Sequence, residues 1–293
     1  MSLKPAKHHF QLIKEGRTRI LADPQFLNSL REMGFEKMEK LFEKIRIDPD
    51  RGGRHGIGLF SLDRKADHRF VIRRYGRGGL FRRLLGDRFL LGSRPFREIL
   101  ITDEIRKRGI PTTQVVAALH HRIWGPVYRG ELISKEIPDA HDLVSIFQNL
   151  GNPPSEEEIT LKRQVTREAG RTVRFMHDQG IYHGDLNVRN VLAQISTPRG
   201  IRVYIIDFDR SKILKTLSTR KRMKNILRLN RSAEKLKAEG LRISYTDKTR
   251  FLDAYAEGDR RLILSVRRYL KNYRLYTRWY RLGWFADRLF NPS

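Results

Sequence analysis

The spacing of apolar positions changes character along the chain. In the first third, short apolar runs are broken by glycine: HRFVIRRY reads as a strand, and DRGGRHGIGLFSL as a glycine loop joining two strands. Pro95 suits a first helical turn, so a helix is predicted from about Pro95 to Arg108, with Gly109 as its stop and Pro111 beyond. TTQVVAAL and PVYRGELISKEI follow as two more strands. After two prolines, Ser155 and Glu158 have the spacing of a capping box, and Leu161, Val165, Ala169, Val173 and Met176 recur at helical spacing towards Gly180. VLAQI and RVYIIDFD read as two strands about the turn STPRG, and everything beyond Asp209 reads as helical.

Strands first and helices later predict an α+β protein of two lobes, with the chemistry where they meet. Residues 1–137 are expected to form a small antiparallel sheet with a glycine loop and one helix. Residues 138–293 are expected to form a mostly helical lobe. Neither an internal repeat nor a low-complexity linker interrupts the 293 residues. Hydrophobic residues at 39% place the chain among globular rather than disordered proteins.

There is no cysteine, which excludes disulfides and thiolate metal sites and fits a reducing cytosol. The N-terminus MSLKPAKHHFQLIKEG lacks an apolar stretch of signal-peptide length, and no window approaches the ~18 apolar residues of a membrane span. The formal charge of +27 is concentrated: Arg73–Arg97, Arg210–Arg242 and Arg260–Arg288 together carry +25 of it. These surfaces favour a polyanion, whether nucleic acid, an anionic membrane or a phosphorylated lipid, or else they are solvated helix faces. No nucleic-acid recognition motif accompanies them, so a nucleic-acid partner is not expected.

The order of parts carries the chemistry: glycine loop, strand with a basic residue, helix with Glu98, capped helix, HGDLNVRN, hairpin, IIDFD. Protein kinases have this order, with an aspartate and an asparagine at this spacing in the catalytic loop and a metal-binding Asp-Phe pair after it. Phosphoryl transfer needs a carboxylate to take the acceptor's proton, and oxygen ligands to hold Mg²⁺ on the phosphates of ATP. Asp185 is then the candidate base, and Asn190 and Asp207 are candidate metal ligands. His183 would orient the loop. The usual strand lysine is replaced in FVIR, making Arg73 the candidate phosphate contact and Arg74 its competitor. Glu98 is the candidate helix partner, with Glu104 second. GGRHGIG lacks the full glycine-rich pattern, and Gly53 and Gly56 are its candidate backbone contacts to phosphate. No Walker-type sequence occurs.

Departures from the protein-kinase pattern point to the acceptor. Gly184 replaces the catalytic-loop arginine, Asn187 the usual lysine and Asp209 the metal-loop glycine, and no A-P-E follows. Without a peptide-docking segment, a small molecule, sugar or lipid headgroup is the expected acceptor.

In VIRRYGRGGLFRRLLGDRFL, in FRE and RKRGIP, in HGDLNVRNVL and IIDFDRSK, and in LNRSAEKL, the chain resembles the lipopolysaccharide kinases, and among them the 3-deoxy-D-manno-octulosonic acid (Kdo) kinases. The likeness runs over roughly residues 50 to 240. It implies ATP- and Mg²⁺-dependent phosphorylation of a Kdo hydroxyl, the 4-hydroxyl, on Kdo-lipid A or a related anionic glycolipid, by a peripheral protein at the cytoplasmic face of the inner membrane. It also carries the base onto Asp185 and the metal ligands onto Asn190 and Asp207. Heptose kinases of the same core pathway share these motifs, and so more distantly do aminoglycoside and choline kinases. The acceptor's phosphates and carboxylate suit the basic segments RRYGRGGLFRR and RKRMKNILRLNR. At the C-terminus Leu262, Val266, Tyr269, Tyr273, Tyr276 and Tyr280 share one helical stripe. It would either lie on an anionic bilayer surface or pack against the larger lobe.

Overall fold

Alternation decides which way the strand residues face. The computed structural model describes residues 9–32, 34, 46–48, 57–61, 69–76, 88–90, 92–197, 200–259, 261–266 and 268. An antiparallel sheet is built from β1 (Gln11–Glu15), β2 (Thr18–Ala22), β3 (Arg46–Asp48), β4 (Ile57–Ser61), β5 (Arg69–Arg74), β6 (Phe89–Leu90), β7 (Val115–Trp124) and β8 (Val127–Lys135). Its order is β1-β2-β7-β8-β5-β4-β3, with β6 on the end of β8. In β5, Phe70 and Ile72 are buried against Leu119 and Ile133, so period-two geometry turns Val71 and Arg73 to the opposite face.

The sheet is larger than the sequence predicts. The hairpin of β1 and β2, turned at Gly16, adds two strands, and the short helix α1 (Leu27–Glu32) packs on the core with Leu27 and Leu30. The predicted strand TTQVVAAL continues as β7 through HHRIW, paired with β2 as far as His121 and with β8 as far as Trp124. Within DRGGRHGIGLFSL, IGLFS forms β4, which pairs with β3, while the glycine loop itself, with Gly53 and Gly56, falls outside the described residues.

Helix α2 (Arg94–Lys107) starts one residue ahead of the predicted proline, with the Ser93 side chain capping it. It joins the two halves of the molecule. Ile99 and Leu100 pack on the sheet, whereas Ile101 and Ile105 enter a second core with Val173, Met176, Ile205 and Phe208. Its first turn presses on β8 at Gly130, where a Cβ would collide with the Pro95 ring.

The second half has α3 (Leu143–Gln148), α4 (Glu156–Asp178), α5 (Thr219–Ala238) and α6 (Tyr245–Ala256). Helix α4 opens with the predicted Ser155–Glu158 capping box, and its Val165, Ala169, Val173 and Met176 are buried. Beside the helices, β9 (Ala140–Asp142), β11 (Val191–Thr197) and β12 (Gly200–Ile205) form a small antiparallel sheet. The region beyond Asp209 is not wholly helical: β10 (Ile181–Tyr182) pairs with β13 (Lys212–Ile213). Of the C-terminal stripe, Leu262 and Val266 are buried in the second core, and 269–293 lie outside the described residues. Among the described residues no helix is long and apolar enough to cross a membrane.

The β10/β13 pair brings two loops together so tightly that a side chain at residue 184 has no room. A Cβ there would overlap the carbonyl group and Cβ of Arg210, and the Gly184 N–H donates to Ser211 Oγ at 3.0 Å. Since backbone cannot step aside as a flexible side chain can, Gly184→Ala is expected to cost about 1–3 kcal/mol of stability, read by urea denaturation. A wild-type midpoint and slope would show that the loops can part freely.

His177 closes the packing of α4, α5 and α6 with no exposed surface. Its Nδ1 accepts from the Tyr255 hydroxyl at 2.8 Å, and its Nε2 donates to Asn225 Oδ1 at 3.2 Å. Burial pushes this imidazole down to about 3. The unfolded chain takes up the proton near pH 6.5, so this contribution to stability is complete above that pH and is lost as pH falls towards 3. Between pH 7 and pH 5 the group should cost about 2 kcal/mol. In His177→Gln, the difference between unfolding free energies at those two pH values is expected to shrink by about that amount.

Candidate active site

Arg73 stands on the face of β5 turned away from the sheet core, and its guanidinium spans two carboxylates. Nη2 lies 2.7 Å from both Oε1 and Oε2 of Glu98, and Nη1 lies 3.0 Å from Asp207 Oδ1. Glu98, on α2, is only 2% exposed and also accepts from the Tyr75 hydroxyl, while the Arg73 guanidinium lies 4.9 Å from the Tyr75 ring centre. Burial pushes the Glu98 carboxyl up to about 7, against the pull of Arg73. Asp207 is different: burial raises it, but the charge of Arg73 and the bonds it receives hold it below the usual carboxylate range. An ionised carboxylate therefore sits where the sheet meets the helical half.

Of the alternatives open in the sequence, Arg74 pairs with Glu131 at 3.2 Å, and Glu104 pairs with Arg108 one turn along its own helix. Neither reaches Asp207 in the described contacts. A second bridge joins α2 to the IIDFD turn, because Arg94 grips the Asp209 carboxylate with Nε and Nη2. The Arg94 guanidinium lies 4.8 Å from the Phe89 ring centre and 5.5 Å from that of Tyr75.

The HGDLNVRN loop is held from behind. His183 is fully buried, and its ring connects two segments: Nε2 donates to the Ile206 carbonyl and Nδ1 accepts from the Asp185 N–H, each at 3.0 Å. These partners fix the tautomer, and burial lowers the pKa of the ring. Asn225 of α5, also without exposed surface, bonds both backbone groups of His183: Oδ1 accepts from its N–H at 3.0 Å, and Nδ2 donates to its carbonyl at 2.8 Å. Asn187 Nδ2 and Asn190 Nδ2 each donate to the Asp185 carbonyl at 3.0 Å. What remains outside is the Asp185 side chain, 60% exposed, with Arg228 Nη1 2.8 Å from its Oδ1.

Asp185, Asn190, Asp207, Arg73 and Glu98 thus line one cleft of about 1270 Å³. The Ile206 N–H donates to the Asn190 carbonyl at 3.0 Å, which makes Asn190 and Asp207 neighbours. Because Asn190 spends its amide nitrogen on the loop, its amide oxygen is the atom left to ligate a metal ion. An amide oxygen and an ionised carboxylate fit Mg²⁺. Asp207 itself has a left-handed backbone, φ 67°, a conformation that aspartate tolerates better than bulkier residues. Among the described residues no cluster of three or more His, Asp or Glu forms a closed metal cage.

Several of these residues escape a reading of the sequence. Tyr75 leaves a trace, since it follows Arg73 at strand spacing. Asn225 leaves a fainter one, as an uncharged residue inside RKRMKNILRLNR. Arg94 and Arg228 leave none, hidden among 60 lysines and arginines.

Residues 50–255 match the lipopolysaccharide kinase (Kdo/WaaP) family. A 3-deoxy-D-manno-octulosonic acid kinase of Vibrio cholerae serotype O1 is 33% identical over 169 residues, 56% of this chain and 65% of that protein. Proteins of the same name from Xanthomonas campestris pv. campestris and Photobacterium damsela subsp. piscicida are 32% identical over 197 residues and 28% over 226. These cover 66% and 76% of this chain, and 72% and 86% of theirs. The chain spans 65% and 66% of the length of the Vibrio cholerae and Haemophilus influenzae relatives that it matches. The solved structure of WaaP in complex with acyl carrier protein shares the fold at a TM-score of 0.51 and 18% identity, covering 89% of this chain and 98% of that one. With a match over residues 50–255 of its 293, the chain belongs to the lipopolysaccharide kinase (Kdo/WaaP) family.

Proposed function

We propose that the protein transfers the γ-phosphoryl group of ATP to a Kdo hydroxyl, the 4-hydroxyl, of Kdo-lipid A or a related anionic glycolipid. One observation carries this reading: Asp185, Asn190 and Asp207 meet across a single cleft, opposite an arginine that is already paired with a helix glutamate. The lobes divide at residues 137 and 138, and the nucleotide enters between them. Asp185 takes the proton of the acceptor hydroxyl as its oxygen attacks phosphorus; exposure of its carboxylate leaves that approach open. Asn190 and Asp207 would hold Mg²⁺, which supplies charge neutralisation on the phosphates when bound. Arg73 keeps Asp207 ionised and aimed, and has its own charge for a phosphate oxygen. Gly53 and Gly56 would cover the phosphates with backbone N–H groups.

The acceptor class follows from charge. The protein carries +27, and α5 supplies eight lysines and arginines against one glutamate between Thr219 and Ala238, a match for the phosphates and carboxylate of a Kdo-bearing lipid. Such a substrate would bring the protein to the cytoplasmic face of the inner membrane as a peripheral protein, with no nucleic acid involved.

Purified protein incubated with ATP, Mg²⁺ and Kdo-lipid A should add one phosphate to the lipid, detected by mass spectrometry. Transfer to a heptosylated core but not to Kdo-lipid A would reassign the acceptor to heptose. Asp185→Asn should lower kcat by about 10²-fold or more, with nucleotide affinity nearly unchanged. A variant as active as the wild type would remove Asp185 from the mechanism.

A further inference from the structure

The loop that carries the base contains no cation at the position where protein kinases have a lysine. Asn187 stands there, and both ends of its amide serve the loop: Nδ2 donates to the Asp185 carbonyl and Oδ1 accepts from the Arg189 N–H, each at 3.0 Å. Arg73, across the cleft, is held by Glu98 and Asp207, so in the reading above its charge serves the phosphates of the nucleotide rather than the side of the base. A transferring phosphoryl group spreads negative charge over its oxygens, and an enzyme of this kind needs a cation beside the base to meet it.

That cation comes from outside the loop. Arg228, on α5, reaches over the HGD turn, with Nη1 2.5 Å from the Gly184 carbonyl and 2.8 Å from Asp185 Oδ1. Its placement is not left to a floppy surface helix. Asn225 lies three residues earlier on the same face of α5 and is bonded to both backbone groups of His183, so the register of the helix against the loop is fixed one turn from Arg228. Among the described residues, Nε and Nη2 of Arg228 have no partner, and its side chain is 34% exposed towards solvent. A guanidinium has five donors in a planar fork, so one edge can stay on Asp185 while the other takes two phosphoryl oxygens.

We propose that Arg228 is the catalytic cation of this site, contacting the transferring phosphoryl group while holding the Asp185 carboxylate in line with the acceptor hydroxyl. The inference rests on the phosphotransfer reading above. In the step itself, the acceptor oxygen forms its bond to the γ-phosphorus, and the bond from that phosphorus to the bridging oxygen of ADP breaks. The hydroxyl proton passes to Asp185 and then to solvent. Arg228 neither gains nor loses a proton. It faces the phosphoryl oxygens throughout, and α5 thereby contributes to catalysis as well as to the basic surface.

The test uses the full chain with ATP, Mg²⁺ and Kdo-lipid A. Arg228→Met is expected to lower kcat by about 10²–10³-fold, the effect of losing one preorganised donor, with the KM for ATP within about threefold. Arg228→Lys should retain more activity than Arg228→Met but less than wild type, because an ammonium keeps the charge and loses the fork. Guanidinium ion added to Arg228→Ala should recover about tenfold or more of the loss, at a concentration that leaves the wild type folded. Lys14→Met, which removes one exposed charge on β1, should stay within about twofold of wild type. An Arg228→Met enzyme with wild-type kcat overturns the proposal, and one with a raised kcat shows the ion pair to be a restraint on the base. A loss of kcat that tracks a fall in melting temperature, unrelieved by guanidinium or by lysine, makes Arg228 a structural brace. Wild-type protein that transfers no phosphate to Kdo-lipid A or to a heptosylated core overturns both this proposal and the reading beneath it, whereas an active wild type with a fully active Arg228→Met overturns only this one.

Discussion

A carboxylate buried without a partner costs more than a domain of this size can spare, and Glu98 would be such a group without Arg73 and Tyr75. Only 2% of it reaches solvent, yet it stands on α2, which packs into both the sheet core and the second core. Its solution is Arg73 and the Tyr75 hydroxyl, which supply donors from β5 and the residue just after it. Since Arg73 also reaches Asp207, satisfying Glu98 fixes the sheet, helix α2 and the IIDFD turn in one arrangement. A lysine would meet Glu98 with a compact ammonium. An arginine can bridge two carboxylates in one plane, which is what the chain requires with Asp207 drawn so close.

The loop that bears Asp185 follows a complementary rule. Its backbone is tied from behind by His183, Asn225, Asn187, Asn190 and Ser211, and the Asp185 carboxylate in front is exposed, with Arg228 beside it. Rigidity is supplied by buried hydrogen bonds, where low dielectric strengthens them, and reactivity is kept at the surface of the cleft. The small residue at 184 belongs to the same economy of space, as the backbone of Arg210 fills the volume that any side chain would need.

Much of this was legible in the sequence because the informative signals are local. The capping box at Ser155, the strand FVIR, the glycine after α2 and the DLNVRN and IIDFD strings all report on neighbours a few residues away. The α+β class followed from their order. The N-terminal hairpin was not legible, since its pairing partner β7 lies about a hundred residues further on. Arg94, Asn225 and Arg228 were invisible for a different reason. Each acts across a long sequence separation, and two of the three are arginines in a chain where basic residues are the commonest background. The choice between Arg73 and Arg74 was open until the fold paired one with Glu98 and Asp207 and the other with Glu131.

In protein kinases a glycine follows the Asp-Phe pair and lets the turn swing between two settings. Here the position is Asp209, gripped by Arg94, while Phe208 is buried with its ring 4.8 Å from that of His183. A switch needs two arrangements separated by little free energy. Stripping Arg94 from a carboxylate that is 11% exposed would cost about 3 kcal/mol, leaving fewer than about one molecule in a hundred with the turn swung out. The turn is thereby a fixed wall of the cleft, held on one side by Arg94 and packed on the other against His183.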